Sequence, residues 1–394
     1  MPLHLVGRKR VVLVGIVASL ALLLGGGAIV QFQAARSWNE MEQKVLELRT
    51  AWENRERRRE PAWGEGTSER AFEHYERASG AGMALCSERN DALMELLPTR
   101  GDDLPATDLR AAWQPLLAHL RAGAHATDLM PRNPYAAPET VIMNLLPLRW
   151  VANCALFEAR VLRHEDRDVE AVRVSLDAAT LGADLLRHDV LINRMIGGAV
   201  LTIAMEAWHD DGAVAHLDHD ALAALAEGLA RLDRSPPATV DLTGELLTTA
   251  YALQHLPDGP DAVSAWHYGF SARWLVADEW FRYANGVEDA SQSALLPWPQ
   301  QKARLEADAE REGRGCLLMP VAHALLVTES SVRWALARLR LLRMAVEVHR
   351  GRDVPPLLDP LGDGALQVAR EGNGVRLRSA GRTEHHLLER FVAR

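Results

Sequence analysis

Lysine is nearly missing from this chain. Of 44 basic residues only Lys9, Lys44 and Lys302 are lysine, a bias that reflects a GC-rich genome more than chemistry. An excess of positive charge is missing too: the net charge is -9, so no basic footprint points to nucleic acid. Cysteine is scarce. Cys86, Cys154 and Cys316 share no metal-ligand spacing and no C-x-x-C. Each sits in an apolar helical context, where a free thiol behaves as a small hydrophobe. One disulfide stays open in an oxidising compartment, and the odd count leaves at least one thiol over. Catalytic signatures are missing as well: no H-E-x-x-H, G-x-S-x-G, Ser-x-x-Lys or P-loop, and no G-x-G-x-x-G after a strand. No motif therefore assigns an activity, an enzyme is not the first expectation, and no cofactor is implied.

Charge is absent from one long run. Residues 11–30, VVLVGIVASLALLLGGGAIV, carry none, and twelve of them are Val, Leu or Ile. Twenty helical residues reach about 30 Å, the thickness of a hydrocarbon core. The Val, Leu and Ile side chains favour insertion by roughly 4 to 7 kcal/mol, against which the Gly25–Gly27 run takes some back. Arg8, Lys9 and Arg10 precede the run, and no acidic residue occurs before Glu40. The positive-inside rule then puts the N-terminus in the cytoplasm and the bulk outside. The competing reading is a cleaved signal peptide with Gly26-Gly27-Ala28 as its small-residue site. The apolar run continues through Ile29 and Val30, which favours an uncleaved anchor bounded by Val11, Leu13, Leu24 and Val30. No cysteine follows the run, which excludes a lipoprotein.

Beyond the anchor the signal is helical. Ala34, Trp38, Met41, Val45, Leu48 and Trp52 recur at steps of four and three, a seam within an expected helix over 31–60. Packing on the chain's own domain is the commoner use of such a stripe. A homodimer through the 34–52 seam is the alternative. PAWGEGTSE, from residue 61, reads as a linker. Helices are expected over 69–97, 107–125, 139–163, 169–187, 189–210, 219–232, 239–255, 263–285 and 316–350, and no strand before residue 364. Short connections make consecutive helices antiparallel. IGGAVLTIAM is too short to span a membrane and reads as a buried core helix.

Two clusters are candidate sites. In HDDGAVAHLDHD, residues 209–220, the residues His209, His216, Asp218 and His219 have metal-ligand chemistry. Helix punctuation explains most of them equally well. Gly212 suits a C-cap, His209 suits a helix end, and Asp218 is an N-cap flanked by a Leu217–Leu222 staple. In AWHYGFSARWLVADEWFRYANG, residues 265–286, Trp266, Phe270, Trp274 and Phe281 share one helix face and read as core. Trp280 and Tyr283 point elsewhere and, with Asp278 and Glu279, make a candidate ligand groove.

The tail differs. A seam of Ala335, Leu339, Leu342 and Val346 lies on a helix expected to stop at Gly351, and Val354-Pro355-Pro356 prevents it from resuming. Leu366 and Val368, then Val375 and Leu377, alternate with polar residues around Asn373-Gly374, a tight-turn pair. This predicts a two-stranded hairpin lying on the preceding helix. Gly351, Val354-Pro355, Asp359-Pro360-Leu361-Gly362 and Ser379-Ala380-Gly381 occur in an order that resembles the C-terminal segment of the type II secretion major pseudopilin, over about 50 of 394 residues. In that family a helix, an Asp-Pro-Trp-Gly-like turn and a short hairpin ending in Ser-x-Gly follow one another. Here Arg382-Thr383-Glu384 replaces the acidic continuation of the family's calcium loop, and the N-terminus lacks the prepilin cleavage pattern, so the chain is not a pilin subunit. As a whole it is similar to uncharacterised bacterial single-anchor helical envelope proteins. That resemblance implies an envelope location and no activity.

The sequence thus predicts a mainly α protein in five parts. They are a cytoplasmic tail (1–10), a transmembrane helix (11–30), a juxtamembrane helix (31–60), an extracytoplasmic helical bundle or hairpin array (61–350) and a C-terminal turn with a β-hairpin (351–394). The expected place is the bacterial inner membrane, single-pass, with the N-terminus inside and the bulk in the periplasm. The lipid bilayer and unknown envelope proteins are its expected partners, and protein binding as a scaffold or assembly component its expected role. The alternatives are an anchored hydrolase with an acidic, aromatic groove and a metal-binding sensor.

Overall fold

The computed structural model describes residues 32–33, 35–96, 107–131, 134–136, 145–209, 211–234, 241–254, 272–312, 321–372, 374–382 and 387–393. The expected anchor at 11–30 and the basic residues before it lie outside the described residues. Among the described residues no helix is long and apolar enough to cross a membrane.

Helices dominate, as the periodicity predicts. Helix α1 covers residues 35–53, α2 Ala71–Leu96, α3 Thr107–His125, α4 Leu145–His164 and α5 Asp168–Leu186. Helix α6 is Leu191–Met205, followed by a 3₁₀ turn at Glu206–Trp208 and the short α7, Asp211–Ala215. Then come α8 (His219–Asp233), α9 (Thr243–Gln254), α10 (Ala272–Ser293), α11 (Trp298–Glu312) and α12 (Val321–His349). Helix α11 was not expected, because WPQQKARLEADAERE buries Trp298 and Leu305 among its apolar residues but carries no continuous stripe. Gly212 is no C-cap; it lies inside α7.

The stretch after α1 corrects the sequence reading twice. The helix stops at residue 53, and ENRERRRE continues as extended chain, with Arg59 N–H donating to Thr127 O at 3.0 Å and Leu129 N–H to Arg57 O at 2.8 Å. The presumed linker is part of the core: Pro61 and Ala62 are buried and Trp63 packs at the cluster's edge. Among the described residues, two strands precede residue 364 after all. Strand β1, Thr67–Arg70, pairs in parallel with β2, Ala126–Asp128. They are too short to alternate in polarity. β1 runs straight into α2 and β2 straight out of α3, so the packing of those helices brings them together.

The main core joins faces of α2 to α6, α8 and α12. Its tightest crossing is between α5 and α6. A Cβ on Gly182 would stand 2.7 Å from the Leu201 nitrogen, and one on Gly197 2.7 Å from the Gly182 carbonyl oxygen. Glycine is what lets these two backbones approach. The run IGGAVLTIAM is indeed buried here. The seam Ala335, Leu339, Leu342 and Val346 turns α12 into the same core.

The opposite face of α12 carries the tail. Leu341, Met344, Ala345 and Val348 pack under Leu366, Val375, Leu377 and Val392. The helix ends in a Schellman motif: Gly351 adopts φ +67°, its N–H donates to Val348 O, and Arg352 N–H donates to Glu347 O. The tail is a three-stranded antiparallel sheet in the order β3-β4-β5, with β3 at Gln367–Glu371, β4 at Gly374–Arg382 and β5 at Leu387–Ala393. The third strand was missed because Thr383–His386 gives no tight-turn signal. Two details of the hairpin also differ. Glu371 pairs with Gly374, and Gly372 supplies the positive φ of 54°. Asn373 lies outside the described residues. Val368 is 48 % exposed rather than buried.

Asp359 ties the tail together. Its carboxylate accepts N–H bonds from Leu361 (3.0 Å), Ala380 (2.7 Å) and Gly381 (3.3 Å), and the Ser379 hydroxyl donates to it at 2.8 Å. A Cβ on Gly381 would meet the Leu361 carbonyl oxygen at 2.1 Å. The Asp-Pro-Leu-Gly turn and the Ser-Ala-Gly segment, 20 residues apart, are thus one interlocked unit.

Candidate functional site

The expected groove residues on α10 do not converge. Trp280 is fully buried, and its indole N–H donates to Leu246 O at 3.2 Å. It packs with Met41, Val45, Trp52, Leu247, Ala250 and Ala277, because α1 and α9 cover that side of α10. The α1 seam is therefore used within the chain. Tyr283 donates its hydroxyl to Glu245 at 3.0 Å. Asp278 and Glu279 both turn to Arg282 on their own helix, at 2.6 and 3.5 Å. Of the aromatic stripe, Phe281 sits half-buried against Trp280 with ring centroids 5.2 Å apart, while Trp266 and Phe270 lie outside the described residues.

An open groove nevertheless runs past Trp280. It encloses about 850 Å³ between α1, α9 and α10. Leu48, Leu246 and Phe281 form its apolar wall with the buried Trp280 behind them, and Lys44, Arg55, Asp241 and Glu288 its charged rim. Arg55 is ion-paired with Asp241 at the rim. Behind this rim lies a buried charge cluster. Asp189, fully buried, accepts the Trp52 indole N–H at 2.6 Å and an Arg57 N–H at 2.7 Å. Burial opposes its charge, but His188, Arg57 and these bonds prevail, and the carboxyl stays below its ordinary value. Burial pushes the adjacent His188 down to about 4, so it is neutral near pH 7. Burial likewise raises Glu245, although the Leu191 N–H and the Tyr283 hydroxyl both bond to it. The Cβ of any larger residue at Gly244 would strike the Asp189 carboxylate at 2.4 Å. These contacts fasten α1, which follows the expected anchor, to the helical body.

Within the histidine cluster, Asp218 is helix punctuation as its spacing predicts. Asp218 is the N-cap of α8, accepting from Ala221 N–H at 2.6 Å. His219 is 95 % exposed and faces the exposed Asp220 at 3.5 Å, His216 is exposed, and His209 meets Arg338 at 2.8 Å. Among the described residues no group of three or more His, Cys, Asp or Glu could hold a metal ion. Cys86 and Cys154 are free thiols, the latter buried and pushed up by that burial; Cys316 lies outside the described residues.

Two acids the sequence did not single out line a second, smaller cleft between α3, α4 and α5. These are Glu158 and Asp177, both buried. Arg110 grips Glu158 at 2.7 Å, and Trp113 and Gln114 donate to its other oxygen at 3.0 and 3.1 Å. Asp177 accepts the Trp63 indole N–H at 2.7 Å. The available signal was an acid within an otherwise apolar helical run, VSLDAATLGADLL, which also supplies Asp184. No family model matches this chain, and no curated protein or solved structure matches it.

Proposed function

We propose that the protein is a single-pass component of the bacterial inner membrane, held by residues 11–30, that acts outside the cytoplasm by binding a segment of another envelope protein. The observation that carries this reading is the open groove of about 850 Å³ beside Trp280 and Phe281, with apolar walls and rim charges of both signs. An apolar centre with a charged rim is the anatomy of a protein-binding surface. The groove wall includes α1, the first described helix after the anchor, and α1 is fixed to the body through Trp52 and Asp189. The hydrolase alternative has less support, because Asp278 and Glu279 are engaged by Arg282 and Asp241 by Arg55, which leaves Glu288 without a second free carboxylate among the described groove residues. An acid–base pair needs a carboxylate free to meet substrate.

The test is photocrosslinking in intact cells from a probe placed at Asn285, which lines the groove, and at the exposed Glu88 on α2. The expected result is a discrete adduct from position 285 and none from position 88. Equal labelling from both, or none from either, contradicts the proposal.

A further inference from the structure

The cleft between α3, α4 and α5 encloses about 280 Å³, near the lower bound for small-molecule pockets. Its floor is apolar, made by Leu117, Leu120, Leu162 and Val174. The polar groups around that floor are unequally satisfied. Glu158 is filled by Arg110, Trp113 and Gln114. At the rim, Arg167 is held by Glu165 and Glu170. Asp177 is different. Its side chain is 4 % exposed, Oδ1 takes the Trp63 N–H and faces His125 Nε2 at 3.9 Å, and Oδ2 takes a single N–H from Arg121 at the long distance of 3.4 Å. A carboxylate offers about four acceptor positions, so Asp177 lines the cleft with acceptor capacity to spare. Arg121 is 55 % exposed, and its terminal nitrogens have no hydrogen-bond partner among the described residues. A partly filled acceptor and a partly filled donor, weakly paired with each other, therefore stand side by side over an apolar floor.

We propose that this cleft binds a small neutral polyhydroxylated molecule, one sugar ring in size, with a hydroxyl donating to Asp177 and accepting from Arg121. A hydroxyl does both at once. A cationic ligand would be placed beside Arg121 and Arg167, and an anionic one beside Asp177, Glu158 and Glu170. A neutral ring avoids both repulsions, and its C–H face covers the leucine and valine floor. The inference is independent of the groove at Trp280, which lies on other helices.

The test is calorimetric titration of the full chain, held in a detergent without a sugar headgroup. Glucose, galactose and N-acetylglucosamine are the ligands; lysine and phosphate are the charged comparators. Saturable binding of at least one sugar is expected, weakened about tenfold or more in both Asp177→Asn and Arg121→Ala, with no binding of the comparators. Arg121 is outside the core, so its variant keeps the fold whatever happens at Asp177; a thermal melt of each verifies this. Binding of no sugar, sugar binding unchanged in Arg121→Ala, or saturable binding of lysine or phosphate overturns the proposal.

Discussion

The guanidinium of Arg59 and the carboxylate of Asp184 meet fork to fork inside the helical body, Nε to Oδ1 at 2.7 Å and Nη2 to Oδ2 at 2.8 Å. The Tyr75 hydroxyl donates to Asp184 at 2.7 Å, and the remaining Arg59 N–H groups reach the carbonyls of Gly123 and Ala124 at 3.0 and 2.8 Å. One arginine from the extended segment thus joins α2, α3 and α5.

Removing one partner of such a pair strands the other charge in a dry interior, which costs about 3–5 kcal/mol. Arg59→Met should lower the urea midpoint accordingly. Arg59→Lys should not restore it, because an ammonium cannot form the fork. The double variant Arg59→Met with Asp184→Leu should be more stable than Arg59→Met alone. Equal midpoints for the wild type and Arg59→Met would refute the role given to the pair.

Two buried groups titrate in opposite senses. Burial, only partly offset by Arg121, Trp63 and His125, pushes the Asp177 carboxyl from 3.8 up to about 6. Between these values the native state keeps a proton that the unfolded chain has released, so stability falls as pH rises through that window, by about 3 kcal/mol. His188 is lowered from 6.5 to about 4. There the unfolded chain is the one holding the proton, so stability rises with pH across that window by about 3 kcal/mol. The two slopes oppose one another where the windows overlap. Asp177→Asn should therefore gain more stability than the wild type between about pH 4 and pH 6. Unfolding midpoints at unit pH steps measure this, and parallel profiles would refute it.

The close approach of α5 and α6 makes a sharper contrast. Gly197→Ala puts a methyl 2.7 Å from the Gly182 carbonyl oxygen and should destabilise the protein by about 1–3 kcal/mol. Gly80→Ala, at an exposed position of α2 with nothing within 4 Å, should instead stabilise by about 0.5–1 kcal/mol. Thermal melts of the two variants should move in opposite directions; a shift of the same sign would contradict the packing.

Asp359→Ala removes the acceptor of three backbone N–H groups and one hydroxyl. Amide hydrogen exchange should accelerate at Leu361, Ala380 and Gly381 while α5 and α6 keep their protection. Uniform acceleration across the chain would mean that the tail and the body unfold together.

What could be read in advance follows the range of the forces involved. Helix α3 lies at Thr107–His125, as its spacing predicts, and Asp218 caps α8. Both features are set by residues within one or two turns. The strand pair at Thr67 and Ala126 depends on contacts some 60 residues apart, and no local pattern announces it. Periodicity places Trp280 off the main aromatic stripe but cannot say that α1 and α9 cover it. The cleft acids were invisible for the same reason. Asp177 looks like any acid on a helix until Trp63, 114 residues away, donates to it. In α12 only one of two buried faces was legible, because the second is defined by a sheet whose last strand gave no turn signal.

We propose that residues 11–30 hold the helical body outside the cytoplasm. Protease added to spheroplasts tests this most directly. The predicted result is digestion of the body in unlysed spheroplasts, leaving a short protected N-terminal fragment. A full-length chain that resists protease until lysis would contradict it.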